Sequence, residues 1–242
     1  MARRRVFVDT VEQGHAQIVG EQAHHLTHVL RVGPGERFEI SDNRQVYLAE
    51  VESVRKDLVS FGIVEPIEIP ALVVYTTLLA SLTKFERYEW MIEKATEVGV
   101  DQIVPVVAER SEKGLDQAAE KRLARWKRIV REASEQARRA RLPELGTPIS
   151  MAEVLQTGAS YRYVLEEAGA RPILSALPCE PEPADRVNLL VGPEGGWTDR
   201  ERAAISAANW TAVSLGSNIL RAETAAVAGL AVIQAAWAKG AG

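Results

Sequence analysis

Leu189-Leu190-Val191-Gly192-Pro193-Glu194-Gly195-Gly196-Trp197 and, further along, Ser214-Leu215-Gly216-Ser217-Asn218-Ile219-Leu220-Arg221-Ala222-Glu223-Thr224-Ala225 decide the fold. Each half reads as a buried strand, a glycine-containing loop and a helix. Two such loops at the ends of apolar strands can build one ligand pocket at the edge of an open α/β sheet. Glycines also turn corners where no ligand is held. Thr198 and Glu201 have capping-box spacing and predict a helix over 198–208. The second loop feeds a helix expected over 222–237. Neither loop has the three-glycine dinucleotide pattern or the Gly-Lys-Ser/Thr phosphate loop, so ordinary NAD or ATP sites are not indicated.

The pattern changes near residue 70. Before it come strand-like segments at 6–9, 37–41, 46–54 and 59–65, with turn signals at Gly33-Pro34-Gly35 and Asp42-Asn43. They predict a small β-rich domain over 1–70, and Pro66 and Pro70 flank an expected linker. Over 71–242 strands and helices alternate, the pattern of an α/β domain. Strands are expected at 72–79, 102–107, 161–165, 187–191 and 211–215. A helix over 84–98 stops at Gly99, with Tyr88, Met91, Ile92, Ala95 and Val98 on its apolar face.

The net charge of −4 is unevenly spread. From Lys121 to Arg141 nine basic residues stand against Glu132 and Glu135, so this stretch carries +7 and the rest of the chain −11. Leu123, Trp126, Val130, Ala133 and Ala137 recur at helical spacing, leaving the charges for solvent. A solvated helix face would look the same. The concentrated excess favours a phosphate-facing surface, with Arg125, Arg128 and Arg131 as candidate RNA contacts. Such contacts position a protein without reading bases.

A single cysteine, Cys179, forms no internal disulfide, and no Cys/His spacing suits zinc. A reducing, cytoplasmic setting without a structural metal is expected. Arg3-Arg4-Arg5 is followed by no apolar segment and does not read as a signal peptide. The apolar run 71–82 is too short to span a bilayer. All four histidines fall between residues 15 and 28, without a partner arrangement for a metal or a catalytic cluster.

The paired loops resemble the SPOUT class of RNA methyltransferases, and in detail the ribosomal RNA small subunit methyltransferase E family. The resemblance runs along nearly the whole chain. It includes Met91-Ile92-Glu93-Lys94-Ala95-Thr96-Glu97-Val98-Gly99-Val100, Ile103-Val104-Pro105-Val106, Glu109-Arg110-Ser111, Arg125-Trp126 and Glu132-Ala133-Ser134-Glu135-Gln136. His24-His25-Leu26, His28-Val29-Leu30-Arg31 and Gly33-Pro34-Gly35-Glu36 carry it into the amino-terminal part.

The resemblance implies a PUA-like RNA-binding β-barrel over 1–70 and a SPOUT α/β-knot (trefoil knot) methyltransferase domain over 71–242. It implies S-adenosylmethionine as cofactor, a homodimer, and a carboxy-terminal helix threaded behind the loop before it. Residues 225–233 are apolar on all sides, as burial requires, whether in a dimer or within a monomer. The implied reaction is methyl transfer to N3 of a uridine in 16S ribosomal RNA. Rival readings are a noncatalytic RNA-binding or ribosome-assembly factor, and a methyltransferase of the same class acting on a ribose oxygen or a guanine nitrogen.

Methylating N3 requires removal of its proton and stabilisation of the charge spreading to the ring oxygens. The fixed guanidinium of Arg221 suits the second task, with pairing to a nearby carboxylate as its plain alternative. Glu194 or Glu223 are candidates to take the proton, although an acid in the first helical turn also simply favours the helix dipole. The family pattern carries cofactor binding onto Leu165, Leu190, Gly192, Gly195, Gly196, Leu215, Gly216, Asn218, Ile219 and Leu220. Further RNA contacts are expected from His25, His28, Arg31 and Arg110. The acidic segment Glu166-Glu167-Ala168-Gly169-Ala170 departs from the more basic version associated with some relatives.

Overall fold

A computed structural model describes residues 4–69, 74–112, 114–167, 169–182 and 184–237. The chain forms two compact units, Met1–Ala71 with Ser134–Leu142, and Leu72–Ala133 with Pro143–Gly242.

The first unit contains β1 (Arg5–Phe7), β2 (Val11–Glu12), β3 (His15–Val19), α1 (Gly20–His24) running into a π-helical turn (His25–Val29), β4 (Arg37–Ser41), β5 (Val46–Arg55) and β6 (Leu58–Ile67). They form one sheet in the order β1-β4-β5-β6-β3-β2. The β1–β4 pair is parallel and the others antiparallel. Strand side chains alternate between faces, so in β3 Ala16 and Ile18 turn inward while His15, Gln17 and Val19 face out. The core gathers Val6, Ile18, Leu26, Phe38, Ile40, Val51 and Phe61. Pro66 pairs with Tyr47 inside β6, so the strand continues where a linker was expected to begin. Its place near the end of the strand limits the cost of the missing N–H.

Residues 134–142 join this unit through specific bonds. Ser41 Oγ donates to the Ala140 carbonyl at 2.7 Å, and the Leu142 N–H donates to Asn43 Oδ1 at 2.7 Å. The basic run is therefore not one helical face: the helix ends at Gln136, and Arg138, Arg139 and Arg141 lie beyond it.

The second unit runs β7 (Tyr75–Ser81), α2 (Phe85–Val98), β8 (Gln102–Val107), α3 (Leu115–Gln136), β9 (Glu144–Leu145), β10 (Ile149–Ser150), α4 (Met151–Gln156), β11 (Tyr161–Leu165), β12 (Arg171–Pro172), α5 (Ile173–Ala176), β13 (Arg186–Val191), α6 (Asp199–Ala207), β14 (Thr211–Ser214) and α7 (Ala222–Trp237). Only the last residues of α3 fall in the first unit. The strands form a parallel sheet, β10-β8-β7-β13-β11-β14-β12, with β9 also on the β8 edge. Central strands such as β7 and β13 are buried nearly throughout, as a sheet covered on both faces demands. Leu78, Leu189 and Val191 pack on one side with Ile92, Trp126 and Leu230, while Leu79 and Leu190 pack on the other with Trp197, Ile205 and Trp210.

Gly229 allows α7 to press against β13. A Cβ there would fall 2.9 Å from Leu189 Cδ2 and 3.4 Å from Leu165 Cδ1. Gly229→Val is expected to lower unfolding stability by about 1–3 kcal/mol, read from the urea midpoint, because a closely packed core resists added methyl groups. An unchanged midpoint would mean that this contact relaxes freely.

Candidate active site

Both glycine-containing loops leave the carboxyl ends of parallel strands that flank β11, where open α/β sheets place their ligands. The first follows β13 and is fixed at its far end by the α6 capping box. There Thr198 Oγ1 accepts from the Glu201 N–H, and Glu201 Oε2 accepts from the Thr198 N–H. Within it the Gly196 N–H donates to the Pro193 carbonyl at 2.8 Å, closing a tight turn. The second loop follows β14 and enters α7 through a 2.8 Å bond from the Ala225 N–H to the Arg221 carbonyl. These two loops and the end of β11 surround a cleft of about 460 Å³.

Leu165, Gly192, Gly196, Leu215, Gly216, Asn218, Ile219, Leu220, Glu194 and Arg221 line this cleft. Three of the residues expected beside them do not. Leu190 points to the opposite sheet face, into the core beside Trp197, because successive strand side chains alternate. A Cβ on Gly195 would meet Arg110 at 3.4 Å, so this glycine faces a bracing side chain. Glu223 is buried behind the mouth, with its Oε1 3.9 Å from Arg87 Nε and its Oε2 without a hydrogen-bond partner.

The lining glycines have different jobs. A Cβ on Gly192 would stand 3.0–3.3 Å from the buried Trp197 indole, so this glycine serves packing of the loop on its own tryptophan. At Gly216 φ is +125°, and an added Cβ would meet nothing within 4 Å. There the backbone conformation itself selects glycine and leaves the chain bare toward the cleft.

Arg87 belongs to the site although nothing in its neighbouring sequence marks it. It reaches from α2 to line the cleft and donates through Nη1 to Glu194 Oε1. Arg202 pairs with Glu166 at 3.3 Å, and Glu167 also faces the cleft. The acidic segment after β11 thus contributes two carboxylates. Arg221 is exposed and makes no ion pair among the described residues. The carboxylate pairing weighed as its alternative role is not made among the described residues, where Arg87 pairs with both Glu194 and Glu223. Arg110 Nη1 donates to the Gly195 carbonyl at 2.7 Å, bracing the first loop from outside the cleft.

The basic helix is less open than its sequence suggests. Arg122 and Arg125 both bind Glu89 of α2, at 2.9 and 3.0 Å, and Arg128 pairs with Glu132 one turn on. Glu89 is largely buried, whereas Lys121 and Lys127 are exposed. In the first unit His25, His28 and Arg31 are exposed, and the His28 ring stacks on His24 with centroids 4.0 Å apart. No helix among the described residues is long and apolar enough to cross a membrane.

Comparison with known proteins matches residues 71–234 to an RNA methyltransferase domain and residues 18–64 to an RNA methyltransferase PUA domain. The chain is 33% identical to the ribosomal RNA small subunit methyltransferase E of Mycobacterium bovis, over 94% of this chain and 89% of the relative. It is 30% identical to that of Bacillus subtilis, over 95% of each. A crystal structure of the Neisseria gonorrhoeae ribosomal RNA small subunit methyltransferase E bound to S-adenosyl methionine superimposes with a TM-score of 0.85 at 29% identity, covering 98% of both chains.

Proposed function

This chain belongs to the ribosomal RNA small subunit methyltransferase E family, and from that premise we propose that it transfers a methyl group from S-adenosylmethionine to N3 of a uridine in 16S ribosomal RNA. The observation that carries the reading is the convergence of the two loops on one cleft. Its residues fit the cofactor. Leu165, Leu215, Leu220 and Ala225 offer apolar surface to an adenine, the bare backbone at Gly216 permits close approach, and Glu166, Glu167 and Glu194 offer acceptors to hydroxyl and ammonium groups. A volume of about 460 Å³ lies in the usual range for small-ligand sites.

When bound, the cofactor supplies a methyl group activated on a sulfonium. The chain must supply the rest. Arg221, exposed at the cleft and not engaged in an ion pair among the described residues, donates to a uracil carbonyl oxygen as negative charge grows there. Glu194 lines the cleft and is the better placed carboxylate to accept the N3 proton. Glu223, behind it, holds Arg87 and through it the orientation of Glu194. The protein is read as a cytoplasmic homodimer without a metal, meeting its RNA within the small ribosomal subunit.

Two measurements test this reading. Calorimetry with S-adenosylhomocysteine should show one site per chain. Transfer of labelled methyl groups to small-subunit RNA should be lost on heating the protein; binding without transfer would favour a noncatalytic assembly factor. For RNA engagement, Lys121→Glu with Lys127→Glu is the cleaner test, because charge reversal at Arg125 would set a new carboxylate against Glu89. The double variant should weaken RNA binding and flatten its salt dependence by about 0.7 in log–log slope per lost single-strand phosphate contact. An unchanged slope would return this helix to the role of a solvated face.

A further inference from the structure

The first unit holds a second cleft, of about 300 Å³, built from parts of the chain distant in sequence. Its floor is apolar, with Leu30 partly exposed and Val6 and Leu26 almost wholly buried beneath it. Arg4, His25 and Arg138, all exposed, stand around it. The match to the PUA domain model, residues 18–64, takes in His25, Leu26 and Leu30 but neither Arg4 nor Arg138.

The walls are fixed rather than loose. Arg5 is held by Glu39 at 2.8 Å and donates through Nη1 to the Arg138 carbonyl at 2.6 Å. Glu135 Oε1 accepts from the Gln22 amide at 2.7 Å and from the Phe7 N–H at 3.3 Å, which fixes this carboxylate in the wall. The backbone around the cleft is unusual in three places. Arg138 has φ +55° and Arg31, next to Leu30, has φ +53°, conformations that side-chain-bearing residues seldom adopt. His25 begins the π-helical turn. Left-handed residues and π-turns persist where surrounding contacts hold them, and they gather at binding sites.

An apolar floor, a cationic rim and pinned walls suit a ligand with a flat apolar face and an attached anion. A nucleobase with its phosphate has that form, and bases can be splayed into such sites only from unpaired RNA. We propose that this cleft takes one unpaired nucleotide of the RNA substrate, its base on Leu30 and its phosphate between Arg4 and Arg138. The assignment rests on the RNA methyltransferase reading and adds a site apart from the cofactor cleft.

The test uses the full chain and two probes, a ten-nucleotide single-stranded oligouridine and an RNA duplex of equal length. Arg138→Glu, and separately Leu30→Glu on the partly buried floor, should each weaken oligouridine binding at least about tenfold while duplex binding changes little. Two-dimensional NMR of the imidazoles should show His25 shifting when oligouridine is added to the wild type, and not in either variant. Unchanged S-adenosylhomocysteine affinity and melting temperature would establish that the variants are folded. Equal losses on both probes would overturn the proposal in favour of a general phosphate surface, and oligouridine affinity unchanged in folded variants would overturn it outright. Failure of the wild type to bind either RNA would also overturn this site, whereas the methyltransferase reading stands or falls separately on methyl transfer to small-subunit RNA.

Discussion

Arg221→Lys is expected to lower the single-turnover methyl-transfer rate by about tenfold to a thousandfold while changing cofactor affinity far less. The lysine keeps the charge but loses the planar fork that can follow a carbonyl oxygen as it becomes anionic, and removal of one such donor costs on the order of a hundredfold to a thousandfold in other enzymes. Arg221 sits where this role is open to it, lining the cleft with no carboxylate engaging it among the described residues. The sulfonium of the cofactor gains nothing from a nearby guanidinium, which separates the two readouts. Equal losses of rate and cofactor affinity would make Arg221 a support of the pocket. Loss of neither would return it to the surface.

Gly216→Val should raise the dissociation constant for S-adenosylhomocysteine by about ten- to a hundredfold. At φ +125° a branched residue pays on the order of 1–3 kcal/mol in backbone strain, and each 1.4 kcal/mol is about tenfold in binding if the loop relaxes away from its ligand-ready form. The added side chain would meet open space, so the urea midpoint should move no further than that strain. Gly192→Val is a poorer probe of the same pocket, because its methyl groups would strike the Trp197 indole. Unchanged affinity in Gly216→Val would remove the second loop from the cofactor site.

Local signals in the chain were good guides wherever the cause is local. The Thr198–Glu201 capping box sets the start of α6, whereas the apolar run 225–233 in α7 is buried on one side only, through Ala226, Gly229, Leu230 and Ile233, with Ala231 exposed. The strands at Gln102–Val107 and Tyr161–Leu165 occupy the span that their apolar pattern indicates. What could not be read is set by tertiary approach. Arg87 reaches Glu194 across 107 positions of sequence, and Glu89 meets Arg125 across 36, with no periodicity linking either pair. The same holds for Ser134–Leu142, which looks like more basic helix yet folds with the first unit through bonds to Arg5, Ser41 and Asn43. The glycines show a subtler limit. Sequence marks Gly192, Gly195 and Gly216 alike as loop glycines, but only the fold shows that one faces an indole, one an arginine and one the cleft.

Mass spectrometry of nucleosides tests the central claim most directly. Small ribosomal subunits from a strain lacking this gene, and RNA freed from them, would be incubated with the purified protein and S-adenosylmethionine, then digested to nucleosides. The account predicts 3-methyluridine in the treated RNA and none in the control. A methyl group on a ribose oxygen or a guanine nitrogen, or RNA left unmethylated by a protein that binds the cofactor, would contradict it.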